Sequence, residues 1–84
     1  MSAEADLAAR LLEMLEARAP DAKGLTVNNE IVADTGLDSV DVMDLVMEVE
    51  DEFDVTIPLD QIATVKTIAE MAAVVAAVRE REKT

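Results

Sequence analysis

A chain of 84 residues, 51% of them apolar and none of them cysteine or histidine, has material for one core but none for disulfides, thiolate metal sites or histidine-based catalysis. Its formal net charge of −12 disfavours nucleic acid and anionic membrane surfaces and favours proteins that carry arginine and lysine patches. Two glycines, two prolines and a single aromatic residue among many Ala, Leu, Val and Met point to helices rather than strands, so an all-α single domain over residues 1–84 with frayed ends is expected.

The first helix is predicted from Ala3 to Arg18, with Leu7, Leu11, Leu12, Met14 and Leu15 forming one apolar stripe. Ala19-Pro20 should end it. Residues 21–36 then hold Gly24, Asn28, Asn29 and Gly36 among Leu25, Val27, Ile31 and Val32, which reads as a long loop pinned to the core at those apolar anchors. A loop of this length in so small a domain is often functional.

The second helix is predicted from Ser39 to Phe53. Asp38 can cap it, and Asp41 stands in its first turn, where negative charge suits the helix dipole. Val42, Leu45, Val46, Val49 and Phe53 fall on one face, with Asp41, Asp44, Glu48, Asp51 and Glu52 on the other. Val40, Met43 and Met47 lie on the flank between, where apolar side chains beside acids have the composition of a partner-binding strip. Between Lys23 and Lys66 the chain has eleven carboxylates and no basic residue, so its middle is an acidic surface that steers basic proteins into encounter. Ser39 is the residue that stands out. A hydroxyl in the first turn of such a helix, next to solvent, is poorly set for catalysis and well set to carry a covalent group.

After a turn over residues 54–58, Leu59 to Ala63 can form one short helical turn, with Leu59 and Ile62 pointing inward. Thr67-Ile68-Ala69-Glu70 is a capping box that announces a last helix running to about Arg81. Its many small residues, among them Ala72, Ala73, Ala76 and Ala77, leave room where bulky side chains would normally fill a core, so part of this face is expected to border a cleft.

With no His, Cys or Tyr, the chain lacks the usual general bases and nucleophiles, so an enzyme is not expected. The carboxylates recur at helical spacing rather than in a calcium-binding loop. The acidic N-terminus has no basic leader, and no stretch approaches membrane-spanning length, so a soluble, monomeric, cytoplasmic protein is the expectation. The rival to a modified protein is an unmodified helical adaptor that binds basic partners through the second helix, for which Ser39→Ala would be silent.

Gly36-Leu37-Asp38-Ser39-Val40, the acidic helix that follows, and Phe53-Asp54-Val55-Thr56-Ile57-Pro58 together resemble an acyl carrier protein over nearly the whole chain. The usual signature of that family is Asp-Ser-Leu. Here Val40 replaces the leucine, and Thr35 stands where the family more often has leucine. The resemblance implies a small four-helix bundle of three longer helices and one short one, with a long loop between the first and second. It also implies a 4'-phosphopantetheine arm, transferred from coenzyme A to Ser39 by a phosphopantetheinyl transferase, with Asp38 helping to position the attachment chemistry. Acyl chains would ride on that arm as thioesters. Val40, Asp41, Met43, Asp44, Met47, Glu48 and Asp51 would meet the transferase and the acyl-transferring and chain-modifying enzymes through their basic patches. The cargo would belong to fatty-acid, polyketide or related lipid biosynthesis.

Overall fold

The computed structural model describes residues 3–82. They form four helices, α1 (Ala3–Arg18), α2 (Ser39–Phe53), α3 (Leu59–Ile62) and α4 (Ile68–Glu82). α1 packs most extensively on α4 and also contacts α2. The predicted stripe of α1 is the one that faces inward: Leu7, Leu11, Met14 and Leu15 are buried and meet Leu45, Val46 and Val49 of α2 and Ile68, Met71, Ala72, Val75 and Val78 of α4 in one core. None of the helices among the described residues is long and apolar enough to cross a membrane.

Each helix ends where local chemistry dictates. The amide of Ala19 reaches Leu15 O at 3.0 Å just before Pro20, which has no amide to extend the helix. α2 stops at Asp54, whose φ of 54° places a non-glycine residue in the left-handed region while its amide and that of Val55 return to Glu50 O. The segment after it re-enters the core through buried Val55 and Ile57, and the half-buried Glu50 carboxylate accepts the Ile57 amide at 2.8 Å. That amide would otherwise enter the core without a partner.

The loop between α1 and α2 is docked on the start of α4. Ile31 N donates to Lys66 O at 2.7 Å and Ala69 N donates to Val27 O at 2.9 Å, around an isolated antiparallel bridge between Glu30 and Thr67. Ile31 is buried and Leu25 and Val27 are partly so, as the anchor pattern predicts. Val32, expected as an anchor, is instead 51% exposed. Residues 30–36 coil into a tight turn, with Asp34 N bonded to Glu30 O and Gly36 N to Val32 O, and only one of two adjacent side chains on such a turn can face inward. Leu59, expected to point inward, is 69% exposed. Pro58 turns the chain outward after Ile57, and the single turn of α3 brings only Ile62, and Val65 beyond it, back to the core edge.

The capping box predicted for α4 is present. Glu70 N donates to Thr67 Oγ1 at 3.1 Å, and the Glu70 carboxylate accepts the amides of Lys66 at 2.8 Å and Thr67 at 3.0 Å. Those two amides hold the Glu70 carboxyl below its ordinary value. A depressed folded-state pKa contributes stability that is present above the unfolded value and lost as pH falls through the folded one. Glu70→Gln keeps an acceptor at this position but cannot titrate. The stability difference between parent and variant is therefore expected to shrink as pH falls below 4.5, the ordinary glutamate value, as followed by urea melts across that range. A difference independent of pH would contradict the assignment.

Candidate functional site around Ser39

The approach to α2 is built by the residues just before it. The Thr35 hydroxyl donates to Ile31 O and accepts the Leu37 amide, and Gly36 takes a φ of 77°, which a side-chain-bearing residue adopts only with strain. Asp38 then caps α2 from an extended conformation. Its Oδ1 accepts the Asp41 amide at 2.9 Å, and the Asp41 carboxylate accepts the Asp38 amide at 3.4 Å. This reciprocal pair fulfils the predicted capping role of Asp38 and commits Asp41, which is half-buried, to the same turn.

Because Asp38 does the capping, Ser39 does not. Ser39 is the first residue of α2, exposed, and its hydroxyl has no hydrogen-bond partner among the described residues. A nucleophilic oxygen is thus presented on a rigid element with nothing to break before it reacts. The free amides of the first helical turn would favour a phosphate attached there, while the flanking Asp38 and Asp41 oppose it. A phosphodiester-linked arm on Ser39 fits this setting: its root would face solvent, with no side chain to displace.

An apolar pocket opens close by. It has a volume of about 280 Å³ and is lined by Ile31, Val32 and Ala33 of the loop, Val42 of α2, and Ile62 and Val65 around α3, with Met71 as the α4 residue in its wall. Val42 lies one helical turn from Ser39, so the two positions are neighbours on the surface of α2. The pocket departs from the expectation that the small residues of α4 border a cleft. Ala72 is instead buried in the core, Ala76 is half-buried, and Ala73 and Ala77 are exposed away from the pocket, so none of these small residues lines it. The loop residues Val32 and Ala33, which sequence reading did not assign to a site, provide the wall opposite Val42. Two adjacent apolar residues beside Ile31 in a polar loop were the signal available.

The strip expected along α2 is exposed: Val40 is 66%, Met43 37% and Met47 59% accessible. The acids beside it differ in their surroundings. Asp44 and Asp51 are exposed and have no hydrogen-bond or ion-pair partner among the described residues. Glu48 accepts from Arg18 Nε at 2.7 Å, and Glu52 is clasped by Arg10 through both of its oxygens, with Nη2 to Oε1 at 2.6 Å. The hydrogen bond to Arg10 holds the Glu52 carboxyl below its ordinary value, and the same bond raises the Arg10 guanidinium. Exposed pairs of this kind contribute little to stability. Their effect is on which acids remain open.

This combination of a four-helix bundle, a capped acidic second helix and a free serine at its start defines a carrier-type domain. The chain belongs to the phosphopantetheine attachment-site family, whose profile it matches over residues 5–75. It is similar to a probable acyl carrier protein of Caulobacter vibrioides, 38% identical over 53 residues that make up 63% of this chain and 62% of that one. An acyl carrier protein of Exiguobacterium sibiricum is 40% identical over 47 residues, 56% of this chain and 60% of the other. The chain thus spans about three fifths of the length of these curated relatives. Its fold is similar to that of a putative acyl carrier protein from Mycobacterium tuberculosis, with a TM-score of 0.75, 28% identity, and coverage of 84% of this chain and 96% of that one.

Proposed function

We propose that this chain is a non-catalytic acyl carrier whose attachment residue is Ser39. The observation that supports this most directly is the exposed, uncommitted Ser39 hydroxyl at the start of a helix that Asp38 already caps. In the transfer, Ser39 Oγ attacks the phosphorus of coenzyme A that bears the pantetheine. An ester bond to the serine forms, the bond to the adenosine bisphosphate breaks, and the serine proton passes to a base of the transferase. Asp38 lies beside the reacting oxygen and can hold the cation that the transferase brings. When bound, the group supplies a terminal thiol that carries an acyl chain as a thioester, which the cysteine-free chain itself could not do.

On this reading the pocket beside Val42 shelters the acyl chain. At roughly 30 Å³ per water-sized group its volume holds on the order of nine such groups, a medium-length chain. Methyl resonances of Val42, Ile62 and Val65 are then expected to shift between the thiol and medium-chain acyl forms, while those of exposed Val40 stay in place. Unmoved pocket methyls would refute it. Val40, Met43, Met47, Asp44 and Asp51, with Asp41 at their head, present the face met by the transferase and by acyl-transferring and chain-modifying enzymes of fatty-acid or related lipid or polyketide biosynthesis. Encounter is fast and contact modest on such a face, as a shuttle requires. A monomer working in the cytoplasm belongs to the same reading.

The test is intact-protein mass spectrometry after incubation with coenzyme A, magnesium and a broad-specificity phosphopantetheinyl transferase. A gain of one phosphopantetheine supports the carrier. An unchanged mass for the folded protein favours the unmodified adaptor.

A further inference from the structure

We propose that Arg18 is a specificity-determining residue: it withholds Glu48 from docking and leaves a face that fits a protein with two cationic side chains flanking an apolar pocket. The inference rests on the carrier reading of α2 as the face that successive proteins meet.

The geometry of α2 divides its acids. At about 100° per residue, Met43, Met47, Val40, Asp51 and Asp44 lie within roughly 100° of arc, and Glu48 and Glu52 follow further round. That further arc faces α1, where Arg18 and Arg10 wait. Arg18 meets Glu48 through Nε and through a second guanidinium nitrogen, both 2.7 Å from the same carboxylate oxygen. Its side chain is only 27% exposed, and it stands in the last turn of α1, where the helix dipole favours a cation. The dipole of α1 and the Glu48 carboxylate thus both favour a cation here.

A partner's cation arriving at Glu48 must displace this guanidinium or sit beside its positive charge. At Asp44 and Asp51 it meets neither obstacle. These two residues are seven positions apart, about 10 Å along the helix axis, and Met47 stands between them. The complementary surface carries two Arg or Lys side chains at that separation on either side of a pocket that accepts a methionine. A protein that places a third cation over Glu48 is disfavoured by Arg18, an internal form of discrimination by like charge.

The test measures binding affinity at physiological ionic strength, where charges that are not in contact are largely screened, between the same transferase with coenzyme A and Ser39→Ala protein, in which no transfer follows binding. Asp44→Asn and Asp51→Asn are each expected to weaken binding roughly three- to tenfold, in line with the loss of a contacted charge. Glu48→Gln is expected to change it less than about twofold while Arg18 is present. In the Arg18→Gln background, Glu48→Gln should weaken binding as much as Asp44→Asn does. If Glu48→Gln is silent in both backgrounds, Arg18 has only a structural role and the inference fails. It fails equally if Glu48→Gln weakens binding in the presence of Arg18 as much as Asp44→Asn. Transfer to unsubstituted protein, read by mass, is a separate outcome. Transfer without this pattern removes the inference alone, and the pattern without transfer removes the carrier reading alone.

Discussion

Ser39→Ala is expected to abolish phosphopantetheine transfer while moving the melting temperature by no more than about 4 °C. The Ser39 hydroxyl is exposed and makes no hydrogen bond among the described residues, so its removal leaves no buried group unsatisfied, and alanine suits the first turn of a helix. Asp38 can be separated from it. Asp38→Asn keeps an oxygen to accept the Asp41 amide, so the helix start should survive, whereas Asp38→Ala loses the cap at a cost of about 1 kcal/mol. If the Asp38 charge serves the chemistry, the asparagine variant transfers at least about tenfold more slowly with an unchanged melt, since one positioned charge at a reacting phosphate is commonly worth that much. Equal rates for Asp38→Asn and the parent would reduce Asp38 to a cap. Mass gain on Ser39→Ala would show that another hydroxyl takes the group.

Leu45→Ala is expected to be the most damaging single truncation on α2. Leu45 is fully buried in the core it shares with Leu11, Leu15 and Val75. Deleting its methyl-bearing carbons removes transfer free energy and leaves a cavity, together about 2–5 kcal/mol. A domain of this size has roughly 4–13 kcal/mol in total. The melting temperature should fall by roughly 10–25 °C, and in the weaker case the variant is partly unfolded at 37 °C. Met47→Ala, two helical positions further on at a 59% exposed site, is the control and should stay within about 0.5 kcal/mol of the parent. Circular dichroism melts of the two variants settle it; similar losses for both would mean that α2 presents a different face to the core.

The helices were legible in the sequence because their signals are local. Leu7, Leu11 and Leu15 repeat at helical spacing, Pro20 stops α1, Asp38 caps α2, and Thr67 with Glu70 starts α4; each depends on residues within a turn of one another. Ser39 was legible for the same reason. Leu59 and Val32 were misread as inward-facing because α3 has four residues and residues 30–36 are a tight turn. Neither is long enough for apolar periodicity to say which side faces in.

By itself, then, the chain's sequence determined the all-α class, the extent of its long helices, the position of the serine at a helix start and the acidity of the face beside it, all consequences of near-neighbour spacing and charge. Tertiary structure alone decided that the pocket lies between Val42, Ile62 and the Ile31–Ala33 turn, because the loop must first dock its backbone on Lys66 and Ala69. It alone decided which acids stay open, because Arg18 reaches Glu48 and Arg10 reaches Glu52 across intervals of 30 and 42 residues. Pairings over such distances follow from how α1 lies against α2, and no local pattern encodes them.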